Sequence, residues 1–176
     1  MKTTLFYFLF LFTFSISAQN FEETQQWIMN NAKATNFTTA SQQVFYSKSK
    51  KLIYFVKVLQ LPSGGHTFTT QVFDPKMASS IVINKNKDSD GGHNLTLWFS
   101  ESTPVYSIDL PMTGPYQGTR LNNKIIESYP LEKGIRRHGI EIYLSSDREH
   151  INRVKKAYIH LFQTLGYTVR DGDNMF

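Results

Sequence analysis

Ile151, Val154, Tyr158, Leu161 and Leu165 recur at 3-4-3-4 spacing, which makes one unbroken apolar stripe along a helix. Ser146 with Glu149 has capping-box spacing, and Asp147 adds negative charge at the first turn. Gly166 stands where a left-handed C-cap is expected. The other face carries Asn152, Arg153, Lys156, His160 and Gln163. A helix this one-sided needs a cover, and the residues before it predict a sheet from the same chain.

Gln43–Ser47 and Leu52–Leu61 are rich in β-branched and aromatic residues, and Lys48-Ser49-Lys50-Lys51 separates them, so they predict a hairpin with a basic tip. Leu52, Tyr54, Val56 and Val58 alternate with Ile53, Phe55 and Leu59, so the second strand is apolar on both faces and belongs in the middle of a sheet. Pro62-Ser63-Gly64-Gly65 predicts a turn. Strands follow at His66–Asp74, with Phe68, Thr70 and Val72 on one face, and at Ser80–Asn84. Asn94–Ser100 points Leu95, Leu97 and Phe99 inward, and Val105–Leu110 reads as another short strand. Lys124–Ser128 reads as a strand inside the Pro- and Gly-rich stretch 111–134, and Gly139–Ser145 buries Ile140, Ile142 and Leu144.

Ahead of the strands, Asn20 and Glu23 have capping-box spacing. Phe21, Thr24, Trp27 and Ile28 share a helical face, which predicts a helix over residues 21–32. Asn36 to Ser41 is a polar connection. Short connections throughout argue for antiparallel pairing. The expected fold is therefore α+β: an antiparallel, barrel-like sheet of seven or eight strands, a capping C-terminal helix and an N-terminal helix.

The first eighteen residues speak of location. Lys2 is followed by the apolar run Leu5 to Phe14, broken by Thr13, and Ser15, Ile16, Ser17 and Ala18 form a small-residue exit. That order predicts a signal peptide over residues 1–18, cleaved after Ala18. A spanning helix needs roughly 20 apolar residues, and Gln19, Asn20, Glu22 and Glu23 come too soon. No later segment approaches that length. Residues 19–176 have the size of one domain, which is expected to be soluble and periplasmic or secreted. The chain has no cysteine, which excludes a thiol nucleophile, a CxxC pair, a cysteine zinc site and an acylated cysteine anchor. Its formal charge of +5 is spread among acids with no basic tail, so nucleic acid is not an expected partner.

A run of strands ending in Gly139-Ile140-Glu141-Ile142-Tyr143-Leu144, followed directly by a capped amphipathic helix, resembles a pleckstrin-homology-like barrel. In that fold the terminal helix plugs one open end. Arg153-Val154-Lys155-Lys156-Ala157 through His160-Leu161 and Leu165-Gly166 also resembles the closing helix of uncharacterised exported proteins of Bacteroidota-type bacteria. The exit Ser17-Ala18-Gln19-Asn20 is similar to theirs. The resemblance implies a binding module, and places Lys48, Lys50 and Lys51 in the loop between the first two strands, where pleckstrin-homology domains often hold lipid phosphates. The same three lysines also keep a hairpin soluble without binding anything.

Chemistry is otherwise sparsely signalled. His66, His93, His138, His150 and His160 are scattered with no HExxH pair, and His150 and Arg153, a turn apart, are expected to face solvent. Asp88-Ser89-Asp90-Gly91-Gly92 begins like a calcium loop, but the twelfth position is Phe99 instead of an acid. There is no GxSxG elbow, P-loop or GxGxxG, and no cofactor is implied. Aromatic residues make up 14% of the chain, yet six of the fourteen phenylalanines lie at or before Phe21. Tyr116 and Tyr129, in the Pro- and Gly-rich stretch, are the ones placed to line an exposed surface. The expected function is non-catalytic binding of a protein, peptide or lipid at the bacterial cell envelope, through the basic tip and a mobile 111–134 segment. A lipocalin-like carrier with a cavity lined by Tyr54, Phe68 and Leu97 is the alternative. A hydrolase is the third reading, and needs a cleft that gathers a His and a carboxylate.

Overall fold

The computed structural model describes residues 21–32, 41–60, 66–85, 92–110, 121–145 and 147–174. In chain order the elements are α1 (Phe21–Asn31), β1 (Ser41–Ser47), β2 (Leu52–Gln60), β3 (His66–Phe73), a 3-10 turn (Pro75–Met77), β4 (Ala78–Lys85), β5 (His93–Val105), α2 (Asn123–Ser128), β6 (Ile135–Ser145), α3 (Arg148–Thr164), β7 (Arg170–Asp171) and a second 3-10 turn (Gly172–Asn174). The class is α+β.

The strands form two sheets, where one barrel-like sheet was expected. β1, β2 and β3 make an antiparallel sheet in that order, and the other sheet runs β6-β5-β4-β7. The chain passes from one sheet to the other at Asp74-Pro75. Pro75 has no N–H for a ladder, and the Asp74 carboxylate accepts the Lys76 N–H at 3.0 Å, closing a turn. Among the described residues the sheets meet at one bridge, Val72 with Tyr106. At the other side the side chains of Gln42 and Lys57 donate to the carbonyls of Ile142 and Glu141. These contacts are not a continuous ladder, so among the described residues the barrel does not close.

β2 is the central strand its two apolar faces require. Ile53 and Phe55 enter the main core, with Phe73 of β3, Leu95 and Leu97 of β5, and Ile140 and Ile142 of β6. Tyr54, Val56 and Val58 face the opposite way into a second core. α3 buries Ile151, Val154, Tyr158 and Leu161 in the main core, and Phe55 lies between Phe73, stacked at 5.6 Å, and Tyr158, tilted at 5.5 Å. Fully burying an aliphatic or aromatic side chain contributes roughly 1.5–3 kcal/mol, so this stripe is the main anchor of the helix. Gly166 has φ of 84°, the left-handed cap read from its position.

Several local expectations are corrected. Trp27 lies off the buried face of α1, 38% exposed, because the face that docks runs through Thr24, Ile28 and Ala32. Tyr106 forms only the single bridge, and residues 107–110 continue without a ladder. Lys124–Ser128 belongs to a helix, not a strand, since Asn122 caps it by accepting the Lys124 N–H at 2.9 Å. The N-cap of α3 is Asp147, whose carboxylate accepts the His150 N–H at 2.9 Å. His150 itself turns inward: its Nε2 lies 2.8 Å from the Asn31 carbonyl, tying α3 to α1. The leader 1–18, Asn20, residues 36–40, the 62–65 turn, residues 88–91, Tyr116 and Ser146 lie outside the described residues.

Candidate functional site

The register Ser47 opposite Leu52 leaves residues 48–51 as the tip of the first hairpin. Ser47 organises it: its hydroxyl accepts the Lys50 N–H at 3.2 Å and lies 3.1 Å from the Ser49 hydroxyl. Lys51 takes φ of 55°, a left-handed conformation that a side chain adopts only at a cost. Lys48, Lys50 and Lys51 are all exposed. They are not equivalent, however. The Lys50 ammonium reaches across to the Glu127 carbonyl at 2.6 Å, at the C-terminal end of α2, where unpaired carbonyls attract a cation. Among the described residues Lys48 and Lys51 make no such contact.

α2 is held in place from below. Gln43 of β1 clasps Leu121 with both ends of its amide: Leu121 N–H donates to Oε1 at 3.1 Å, and Nε2 donates to the Leu121 carbonyl at 2.7 Å. Ile126 then inserts fully into the second core beside Tyr54, Val56 and Val72. Tyr129 packs against the same cluster, and Glu132 N–H donates to the Ser107 carbonyl at 2.9 Å. The second half of the Pro- and Gly-rich stretch is thus a cover over the outer face of β2, while residues 111–120 lie outside the described residues. Lys124 and Ile125 sit on its outside, Ile125 being 41% exposed.

The basic tip thus meets the C-terminal end of α2 through the Lys50–Glu127 contact, two residues before Tyr129. Tyr54 lies beneath it with its ring stacked on Phe45 at 4.5 Å. Burial, with the nearby Glu127 carboxylate adding to it, pushes the Tyr54 hydroxyl above the ordinary tyrosine range. Tyr54 thus remains neutral, and the charge of this surface belongs to its lysines and to Glu127.

The lining proposed for a carrier cavity separates. Tyr54 and Phe68 belong to the second core, while Leu97 belongs to the main core, with the β1-β2-β3 sheet between them. His150 and Asp147 come together as a helix cap instead of an acid–base pair. Among the described residues no group of three or more His, Asp or Glu could hold a metal ion, and no helix is long and apolar enough to cross a membrane.

One polar cluster escaped sequence reasoning. Lys155 is buried in the apolar face of α3, its ammonium 2.7 Å from both Asp171 Oδ1 and Asp173 Oδ2. A lysine four residues after Ile151 and three before Tyr158 lies on the stripe itself, which was the available signal. Comparison with family models, curated proteins and solved structures finds no match to this chain.

Proposed function

We propose that residues 19–176 form an exported, non-catalytic binding module of the bacterial cell envelope, released by cleavage after Ala18 and working in the periplasm or outside the cell. Its contact surface is the basic hairpin tip together with α2 and Tyr129, and its partner is a protein, peptide or lipid that presents negative charge. The observation that carries this reading is the 2.6 Å bond from Lys50 to the Glu127 carbonyl. It fixes the tip, with its exposed Lys48 and Lys51, against α2, the helix that carries the exposed Lys124 and Ile125. A tip and helix that together expose lysines and an aliphatic side chain suit an anionic surface whose phosphates meet the ammonium groups. The pleckstrin-homology-like plan is part of the same proposal, with α3 as the plugging helix.

Co-sedimentation with phosphatidylglycerol and with phosphatidylcholine vesicles tests the lipid arm. Each surface lysine contributes about 1 kcal/mol near an anionic membrane, so Lys48→Glu with Lys51→Glu should weaken binding at least about ten-fold. Equal binding to both vesicle types, or no effect of the double substitution, removes lipid phosphate as the partner of this tip.

A further inference from the structure

β6 ends the four-stranded sheet, and its two halves meet different surroundings. At Glu141 and Ile142 the free edge is covered, since Lys57 and Gln42 donate to those carbonyls. Over Ile135, Arg136, Arg137 and His138 all four residues are exposed, Ile135 at 62%. The Arg136 side chain reaches back to the Ser102 carbonyl of β5. Among the described residues nothing beyond β5 bonds to the backbone of this stretch.

The direction of its free groups follows from β3. Val72 and Tyr106 exchange both backbone bonds, at 2.9 and 2.8 Å, so the N–H and C=O of Tyr106 face β3. Alternation along an antiparallel strand then turns Val105 and Thr103 toward β6, opposite Ile135 and Arg137. Pro104, which has no N–H to give, falls at the position facing away. Arg136 and His138 accordingly aim their N–H and C=O groups at the open edge, two residues apart, as an added strand requires.

We infer that the edge of β6 at Ile135–His138 is a docking site for an extended acidic segment of another protein, which pairs as an additional strand. Main-chain bonds to Arg136 and His138 supply the attachment, and an alternating partner sets its carboxylates on the face of Arg136 and its apolar side chains on the opposite face, with Ile135. Charge selects the occupant. Lys133, Arg136 and Arg137 outnumber Glu132 beside them and Glu101 in the adjoining bulge of β5, so an acidic strand is attracted and a basic one repelled. A second copy of the same edge would set arginine against arginine, which protects the strand from self-pairing.

The probes are blocked peptides of alternating sequence, (Glu-Val)4 and (Lys-Val)4, titrated against the purified protein. The expected result is saturable binding of (Glu-Val)4 at least ten-fold tighter than (Lys-Val)4, with slowed amide exchange at Arg136 and His138. His138→Pro removes the outward N–H and His138→Ala keeps it, so the first should weaken binding at least ten-fold and the second should not, while circular dichroism stays unchanged. Arg136→Glu, which sets a carboxylate against those of the peptide, should weaken it similarly. The inference is overturned by equal affinity for the two peptides, or by binding that leaves the Arg136 and His138 amides unprotected. Exchange on the unaltered protein decides the matter even where a variant folds poorly.

Discussion

Lys155 and Asp171 lie 2.7 Å apart, ammonium to carboxylate, joining the middle of α3 to the two-residue strand β7 on the edge of β4. Asp173 completes the clamp at the same distance, and its other oxygen accepts the Ile83 N–H at 2.9 Å. The Lys155 side chain is 4% exposed while both carboxylates are partly solvated, so the two ends of this ion pair are not interchangeable.

Removing the carboxylates strands a buried cation. Asp171→Asn with Asp173→Asn should cost about 3–5 kcal/mol in urea unfolding at neutral pH. Lys155→Met, which keeps the aliphatic stem and leaves carboxylates that water reaches, should cost less. Equal losses would contradict this asymmetry.

The same clamp sets an acid limit. Burial pushes the Asp171 carboxyl up, but the Lys155 hydrogen bond, the Asp173 N–H and the charges of Lys155 and Lys156 together outweigh it and hold the group below its ordinary value. A carboxyl whose folded value is depressed contributes stability that is fully present above its unfolded value, about 3.9, and is lost as pH falls through the folded one. Unfolding curves at falling pH should lose stability below about pH 4, and the Lys155→Met variant should show a shallower loss.

Gln43 is the hinge pin of the outer cover. Gln43→Leu would leave the N–H and C=O of Leu121 buried without partners, at about 1–3 kcal/mol each. Urea unfolding should register a loss of at least about 2 kcal/mol. Amide exchange should rise first across 121–132, ahead of the main core, and uniform loosening of both cores would sink the assignment.

At Gly139 a Cβ would stand 2.9 Å from the Leu97 carbonyl and 3.0 Å from the Trp98 ring. Gly139→Ala should destabilise the fold by about 1–3 kcal/mol. Adding Trp98→Ala relieves the ring contact but not the carbonyl, so thermal melting should recover only in part.

Lys51, at φ of 55°, offers the opposite sign. Lys51→Gly removes the left-handed penalty and should stabilise by about 1 kcal/mol, while weakening any binding to anionic vesicles. A variant that loses stability would show that the tip is held by the lysine side chain and not merely tolerated.

Periodicity in the sequence determined the amphipathic helix at 151–165, the two-faced strand at 52–60 and the left-handed glycine that ends α3. Those features depend on neighbours two to four positions away, and burial then selects them. Lys124–Ser128 marks the boundary of that method. Two isoleucines in five residues suit a strand or a helical turn equally, and the choice falls to Asn122 and to Gln43, 78 residues from Leu121. Tertiary structure alone decided that the strands divide into two sheets, that Lys155 finds its acids beyond the end of α3, and that Lys50 reaches α2. It also decided which half of β6 stays open. Each of these is a pairing between distant segments, whose free energy depends on every competing arrangement of the chain and so leaves no periodic trace.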